Sequence, residues 1–117
     1  MKYDKNNIFA RMLRSEVPCS KIYEDQFCLA FHDINPAANT HVLVVPKIEA
    51  TSFNDFVHIA KPEFVASFFV SVQKVASQLG LEEDGYRVIF NHGANASQTV
   101  FHFHVHILGG ERLKGMN

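Results

Sequence analysis

Apolar and polar positions change period several times along the chain, and each change predicts an element. Ile8, Phe9, Met12 and Leu13 share one face at helical spacing, so a first helix is expected behind Asp4 as its cap and ahead of Pro18. Lys21–Glu24 and Phe27–Asp33 read as strands broken at Asp25-Gln26, and Asn35-Pro36 marks a turn. The β-branched run from His41 to Pro46 reads as a mostly buried strand. Ser52 and Asp55 have the spacing of a capping box, which predicts a short helix through about Ile59.

The long helix is expected from Lys61-Pro62-Glu63 onward, with proline and an acid in its first turn. Phe64, Phe68, Val72, Val75 and Leu79 give its core stripe, and Gly80 suits its C-terminal end. The phenylalanines at 64, 68 and 69 belong to this core pattern. Tyr86–Asn91 and Val100–Leu108 read as the last strands, joined by the small, polar linker from His92 to Gln98. Helices and strands do not alternate as βαβ units. The pattern therefore predicts an α+β fold with an antiparallel sheet.

Within the last strand, His102, Phe103, His104, Val105 and His106 alternate. Strand geometry puts residues i, i+2 and i+4 on one face, so three imidazoles are expected on one side and an apolar surface on the other. Imidazoles titrate near neutral pH and serve as nucleophiles or acid–base groups. Phosphorus is a fitting electrophile, because a phosphate ester or amide can be passed to a ring nitrogen and then hydrolysed. A metal site is the alternative. At about 3.3 Å per residue, His102 and His106 would stand roughly 13 Å apart, so one ion would take two histidines plus donors such as Asp33, Glu111 or His41. His32 falls on the opposite strand face, His58 on a surface helix, and His92 in the linker.

Composition narrows the function classes. With 117 residues, 47% hydrophobic and 20% charged, the chain fits one globular domain, 1–117, with its core at about 6–112. Net charge is −1 and no basic stripe stands out, which argues against a nucleic-acid polymer as partner. The polar start and interrupted apolar runs predict neither a targeting segment nor a membrane association. Cys19 and Cys28 read as reduced thiols, and the expected compartment is the cytoplasm.

The segment from His102 to Leu108 resembles the H-φ-H-φ-H-φ-φ motif of the histidine triad family of nucleotide hydrolases and transferases. The resemblance extends over Ile8-Phe9, the run from Ala30 to Ile34, the run from Thr40 to Lys47, Gly85-Tyr86-Arg87, Asn91 and Gly109-Gly110, all in the order of the nucleoside phosphoramidase branch. It implies a five-stranded antiparallel sheet, with one long and one or two short helices, and two protomers sharing a ten-stranded sheet as a homodimer. The implied reaction is hydrolysis of purine nucleoside 5′-phosphoramidates, AMP or GMP derivatives, through a nucleotidyl-histidine intermediate and without a cofactor. A dinucleoside polyphosphate hydrolase and a nucleotide-binding adaptor with vestigial catalysis are the other readings.

The row itself predicts that His102 and His106 orient His104 and donate to phosphoryl oxygens; by the resemblance His104 is the nucleophile, His102 and His106 its flanking histidines, and His41 a fourth that supports them. Asp33 is implied to hold the ribose hydroxyls and Ile34 to wall the base pocket. Asn91, Ser97, Gln98 and Thr99 are implied near the phosphate and leaving group. Two departures stand out. The Cys-x-x-Cys that many relatives carry in the first helix is missing, which predicts no structural zinc. Ser97 also stands where relatives often have glycine.

Overall fold

The computed structural model describes residues 1–116. In chain order it contains α1 (Ile8–Leu13), β1 (Lys21–Glu24), β2 (Cys28–His32), β3 (Thr40–Pro46), α2 (Phe53–Ile59), α3 (Pro62–Gln78), β4 (Tyr86–Ile89) and β5 (Val105–Gly109), with a 3₁₀ turn at Ala94–Ala96. The strands pair antiparallel in the order β1-β2-β3-β5-β4, which is the expected α+β architecture. The last strand inserts between β3 and β4, so β5 gains a hydrogen-bonded neighbour on each side. Among the described residues no helix is long and apolar enough to cross a membrane.

Strand alternation divides the sheet into two working faces. Val42 and Val44 of β3 meet Val105 and Ile107 of β5 and the helical residues Phe56, Phe68, Val72 and Val75. Phe56 stacks on Phe103 with ring centroids 4.8 Å apart and meets Phe68 edge-on at 5.4 Å. On the opposite face Leu43 and Val45 join Leu29, Phe31 and Phe9, the last brought by α1. His41 shares that second face by parity with Leu43. Six residues are too few to hold a helix on their own, so the Phe9–Phe31 contact at 5.5 Å helps to seat α1.

The helix ends follow cap chemistry, with one correction. Asn7, rather than Asp4, caps α1 by accepting the Ala10 N–H at 2.9 Å. A cap side chain reaches N–H groups only two or three residues ahead, and Asp4 instead accepts the Asn6 N–H at 2.8 Å in the preceding turn. Ser52 caps α2 as expected, and Gly80 follows the end of α3 at φ +74°, a left-handed conformation that glycine adopts freely. The break at Asp25 also has a clear cause. Its carboxylate accepts from the Phe27 and Cys28 N–H groups (2.7 and 2.9 Å) and from the Tyr23 and Ser71 hydroxyls (2.9 and 2.6 Å), tying the β1–β2 turn to α3. Burial opposes its ionisation, but these bonds outweigh burial and hold the carboxyl down to about 2.

Three strands are shorter than the pattern suggested. β2 starts at Cys28 and ends at His32, because the Phe27 N–H is taken by Asp25. β4 ends at Ile89 and β5 begins only at Val105, since the intervening chain bonds to the loop after β3 instead of to a strand.

Phe56 is fully buried at the centre of the aromatic cluster. Phe56→Ala is therefore expected to lower stability by about 3–5 kcal/mol, read from the shift of the urea midpoint at unchanged slope.

Candidate active site

Two strands bring the first pair of histidines together. Leu43 pairs with His106 and His41 with Leu108, so His41 and His106 lie diagonally on the α1 face. The Ala37 N–H donates to His41 Nδ1 at 2.9 Å. A neutral imidazole that accepts at Nδ1 carries its proton on Nε2. His41 Nε2 lies 2.9 Å from His106 Nδ1 and 3.4 Å from Asp33 Oδ2. His106 thus accepts at Nδ1 and carries its own proton on Nε2. That Nε2 is buried and has no hydrogen-bond partner among the described residues. An unspent buried donor is costly to keep, and a bound anion would satisfy it.

The other two histidines do not continue a strand row. Residues 102–104 precede β5, and the Phe103 N–H donates to the Ala50 carbonyl at 2.8 Å. His102 is only 1% exposed. Its Nε2–H donates to the Pro46 carbonyl at 2.9 Å, and its Nδ1 accepts the Tyr3 hydroxyl at 2.7 Å. Both ring nitrogens are spent inside the protein, so His102 cannot donate to a phosphoryl oxygen as the row of histidines predicts. Its backbone carbonyl acts instead, accepting from His104 Nδ1–H at 2.7 Å. Nε2 of His104 is left with its lone pair. Phe9 meets the His104 ring edge-on at 5.0 Å, and His106 stands 5.2 Å away.

Burial sets the protonation of the row. Desolvation pushes His102 and His106 down to about 4, and it lowers His104 as well, against the partial compensation of its bond to the His102 carbonyl. All three are neutral at pH 7.

The remaining predicted residues separate into two groups. Asp33 lies just past β2, half-buried, with Oδ1 accepting the Asn35 N–H at 2.8 Å. Ile34 beside it is 90% exposed, and Asn91 is half-buried just beyond β4. Ser97 and Thr99 are exposed. Ser97 has φ +63°, a left-handed conformation that glycine adopts more freely. Gln98 requires a correction. It is buried, its amide donates to the Thr51 and Val100 carbonyls (2.8 and 3.1 Å), and its oxygen accepts the Gly93 N–H at 2.9 Å. Its side chain pins the loop and offers a phosphate nothing.

His32 and His58 are exposed, and His92 turns toward α2, accepting the Asn54 N–H at 3.5 Å. There it lines a cavity of about 880 Å³ whose wall includes none of His41, His102, His104 or His106. Tyr3 was missed from sequence, where an aromatic residue inside a polar N-terminal stretch was the only signal.

Asp33, His41 and His106 offer donor atoms within 4.8 Å of one another, the nearest approach to a metal site among the described residues. Their bonding does not suit an ion. His41 Nε2 already carries the proton that its Nδ1 bond to Ala37 dictates, and ligation there would require a deprotonated nitrogen. Glu111, the other donor considered, accepts the Asn39 N–H at 2.6 Å instead.

Residues 14–113 match the HIT domain family. An uncharacterized 13.2 kDa HIT-like protein of Azospirillum brasilense is 47% identical over 114 residues, covering 97% of this chain and 93% of that protein. The purine nucleoside phosphoramidase of Escherichia coli (strain K12) is 38% identical over 112 residues, covering 96% and 93%. Among solved structures, a histidine triad protein from Clostridium difficile superposes with a TM-score of 0.86 at 37% identity over 100% of both chains. A HIT family hydrolase from Legionella pneumophila Philadelphia 1 gives 0.85 at 36% identity, covering 93% of this chain and 96% of that one.

The neutral histidines carry a pH signature. Because His102 titrates lower in the folded chain than in the unfolded one, acidification protonates the unfolded state first. Stability is then complete above about pH 6.5 and is lost as pH falls toward about 4, by roughly 3 kcal/mol for His102. Urea unfolding at pH 7 and pH 4.5 should show the loss, and the His102 ring protons should not titrate near pH 6.5 in NMR spectra.

Proposed function

The chain belongs to the HIT domain family, and from that premise we propose that it hydrolyses purine nucleoside 5′-phosphoramidates, releasing an amine and a nucleoside monophosphate. The observation that carries this reading is the 2.7 Å bond from His104 Nδ1–H to the His102 carbonyl, which leaves the lone pair of Nε2 free on a half-buried ring. The similarity to the Escherichia coli phosphoramidase supports the choice of substrate class.

In the proposed reaction, His104 Nε2 attacks the α-phosphorus. A ring N–P bond forms as the P–N bond to the amine breaks. The departing nitrogen leaves as the neutral amine with a proton supplied by solvent, while His106 Nε2–H, a donor without a partner among the described residues, donates to the phosphoryl oxygen on which charge develops. His41, backed by Asp33, holds the donor tautomer of His106 throughout. Water then cleaves the nucleotidyl-histidine and regenerates neutral His104.

The free oxygen lone pairs of Asp33 suit the ribose hydroxyls, and the exposed Ile34 side chain suits one face of a purine. Asn91, Ser97 and Thr99 are proposed to flank the phosphate. The sheet edge at β4, where Val88 is 41% exposed, is consistent with pairing to a second copy. Free Cys19 and Cys28 fit a reducing compartment such as the cytoplasm.

The test uses chelator-treated protein and an adenosine 5′-phosphoramidate bearing a fluorescent amine. The wild type should release the amine at a rate the chelator does not change. His104→Ala should lose at least about 10³-fold in kcat while still binding AMP. The acid limb of kcat/KM should lie below pH 6.5, because only neutral His104 attacks and burial lowers its pKa. Equal binding of AMP with no amine release by either protein would remove the hydrolase reading. Faster cleavage of capped dinucleotides would move the protein to the polyphosphate branch.

A further inference from the structure

The stretch ahead of α1 takes no part in the reaction above, yet it completes the surroundings of His102. We propose that Tyr3 is a positioning residue for the histidine row. The Pro46 carbonyl sets the tautomer of His102, the Tyr3 hydroxyl holds that ring in its seat, and the His102 carbonyl in turn selects the tautomer of His104 in which Nε2 is free.

The argument follows the hydrogen atoms. The His102 ring has one donor to give while neutral, and the Pro46 carbonyl, an acceptor only, takes it from Nε2 at 2.9 Å. Nδ1 must then accept, and the Tyr3 hydroxyl 2.7 Å away is the donor that meets it. Burial raises the Tyr3 phenol, which keeps that proton in place. The opposite tautomer would set a lone pair against the Pro46 carbonyl, whereas the hydroxyl could turn to accept an N–H, so Pro46 fixes the tautomer and Tyr3 fixes the seat.

The same residue carries the peptide that matters to His104. The 102–103 peptide is held through the Phe103 N–H on Ala50 (2.8 Å) and through the His102 ring on Pro46 and Tyr3, and its carbonyl faces His104 Nδ1 at 2.7 Å. Two of these anchors come from residues 46–50 and the third from the N-terminal segment. That segment is fixed in turn to α1. Asp4 accepts the Asn6 N–H at 2.8 Å, the Asn7 side chain donates to the Asp4 carbonyl at 2.7 Å, and Asn7 caps the helix. Phe9 of the same helix presents an edge-on contact to His102 (6.5 Å) as well as to His104. Residues 3–9 thus work as one clasp over the two histidines, with the hydroxyl as its polar contact.

Tyr3→Phe removes the hydroxyl and keeps the ring that packs edge-on against His102 at 5.7 Å. Two readouts are taken on the full chain. Long-range ¹H–¹⁵N spectra report which nitrogen of His102 and His104 carries the proton, and they do not require turnover. Kinetics with the fluorescent phosphoramidate separate kcat from KM, and this arm rests on the hydrolase reading.

In the wild type, His104 is expected to be protonated at Nδ1 and His102 at Nε2. In Tyr3→Phe the His102 ring should keep its proton on Nε2 but lose its seat, and the His104 ring should move toward tautomer exchange. kcat should fall roughly 10-fold, the scale of loss when an outer hydrogen-bond partner of a functional histidine is removed, with KM unchanged. Unchanged ¹⁵N signatures in the variant would overturn the proposal, even if kcat fell, because the loss would then be structural. Changed signatures with unchanged kcat would overturn it as well. If the wild type turns over no phosphoramidate, the hydrolase reading fails separately, and the spectra alone decide whether Tyr3 supports the tautomer of His104.

Discussion

The bond from His104 Nδ1–H to the His102 carbonyl constrains the rest of the site, and it exists only because the chain leaves the sheet before β5. In a strand interior that carbonyl would be committed to an N–H of the neighbouring strand. Here the stretch before Val105 is held from the side. The buried Gln98 amide spans Gly93, Thr51 and Val100, and the Phe103 N–H takes the Ala50 carbonyl. The freed carbonyl then serves a side chain two residues later. From Val105 onward the chain rejoins β3, which brings His106 beside His41 and Asp33. An irregular segment followed by a regular strand produces two kinds of histidine control from one short motif: a backbone acceptor for His104 and a side-chain donor for His106.

Much of the fold was legible in the sequence, and the reasons differ by element. The stripe Phe64, Phe68, Val72 and Val75 has helical period over several turns, and Pro62 and Gly80 mark both ends, so α3 was readable from local chemistry alone. The uniform β-branched run of β3 was similarly unambiguous. The alternation from His102 to His106 misled, because a period of two predicts a strand whether or not the hydrogen bonds of a strand are made. Only the Ala50 carbonyl decides that residues 102–104 stay outside the sheet, and Ala50 is more than fifty positions away in sequence.

Site residues divided along the same line. His41, His104, His106 and Asp33 stand out by residue type, and the fold brings them together. Gln98 was assigned to the ligand because it sits in a polar loop, yet polarity there serves the backbone of the loop itself. Tyr3 went unnoticed for the opposite reason. Its partner is 99 positions away, and no local period links a residue in a polar leader to the histidine motif.

Keeping several imidazoles neutral in one place has an energetic logic. Burial disfavours the charged ring, and a second charged ring nearby disfavours it further, so both His102 and His106 are driven down to about 4. Hydrogen bonding then settles which nitrogen of each neutral ring is basic. Every ring nitrogen of His41 and His102 is paired, so these two rings are fixed. The unpaired capacity of the row is concentrated at His104 Nε2, an acceptor, and His106 Nε2, a donor. Leaving a buried donor unsatisfied costs the free protein about 1–3 kcal/mol. An anionic oxygen placed against it would recover that cost, most fully where charge develops. The sheet and both clasping segments therefore stabilise a site that is less stable alone than it would be with every ring satisfied, and the deficit lies next to His104 Nε2, whose lone pair has no partner among the described residues.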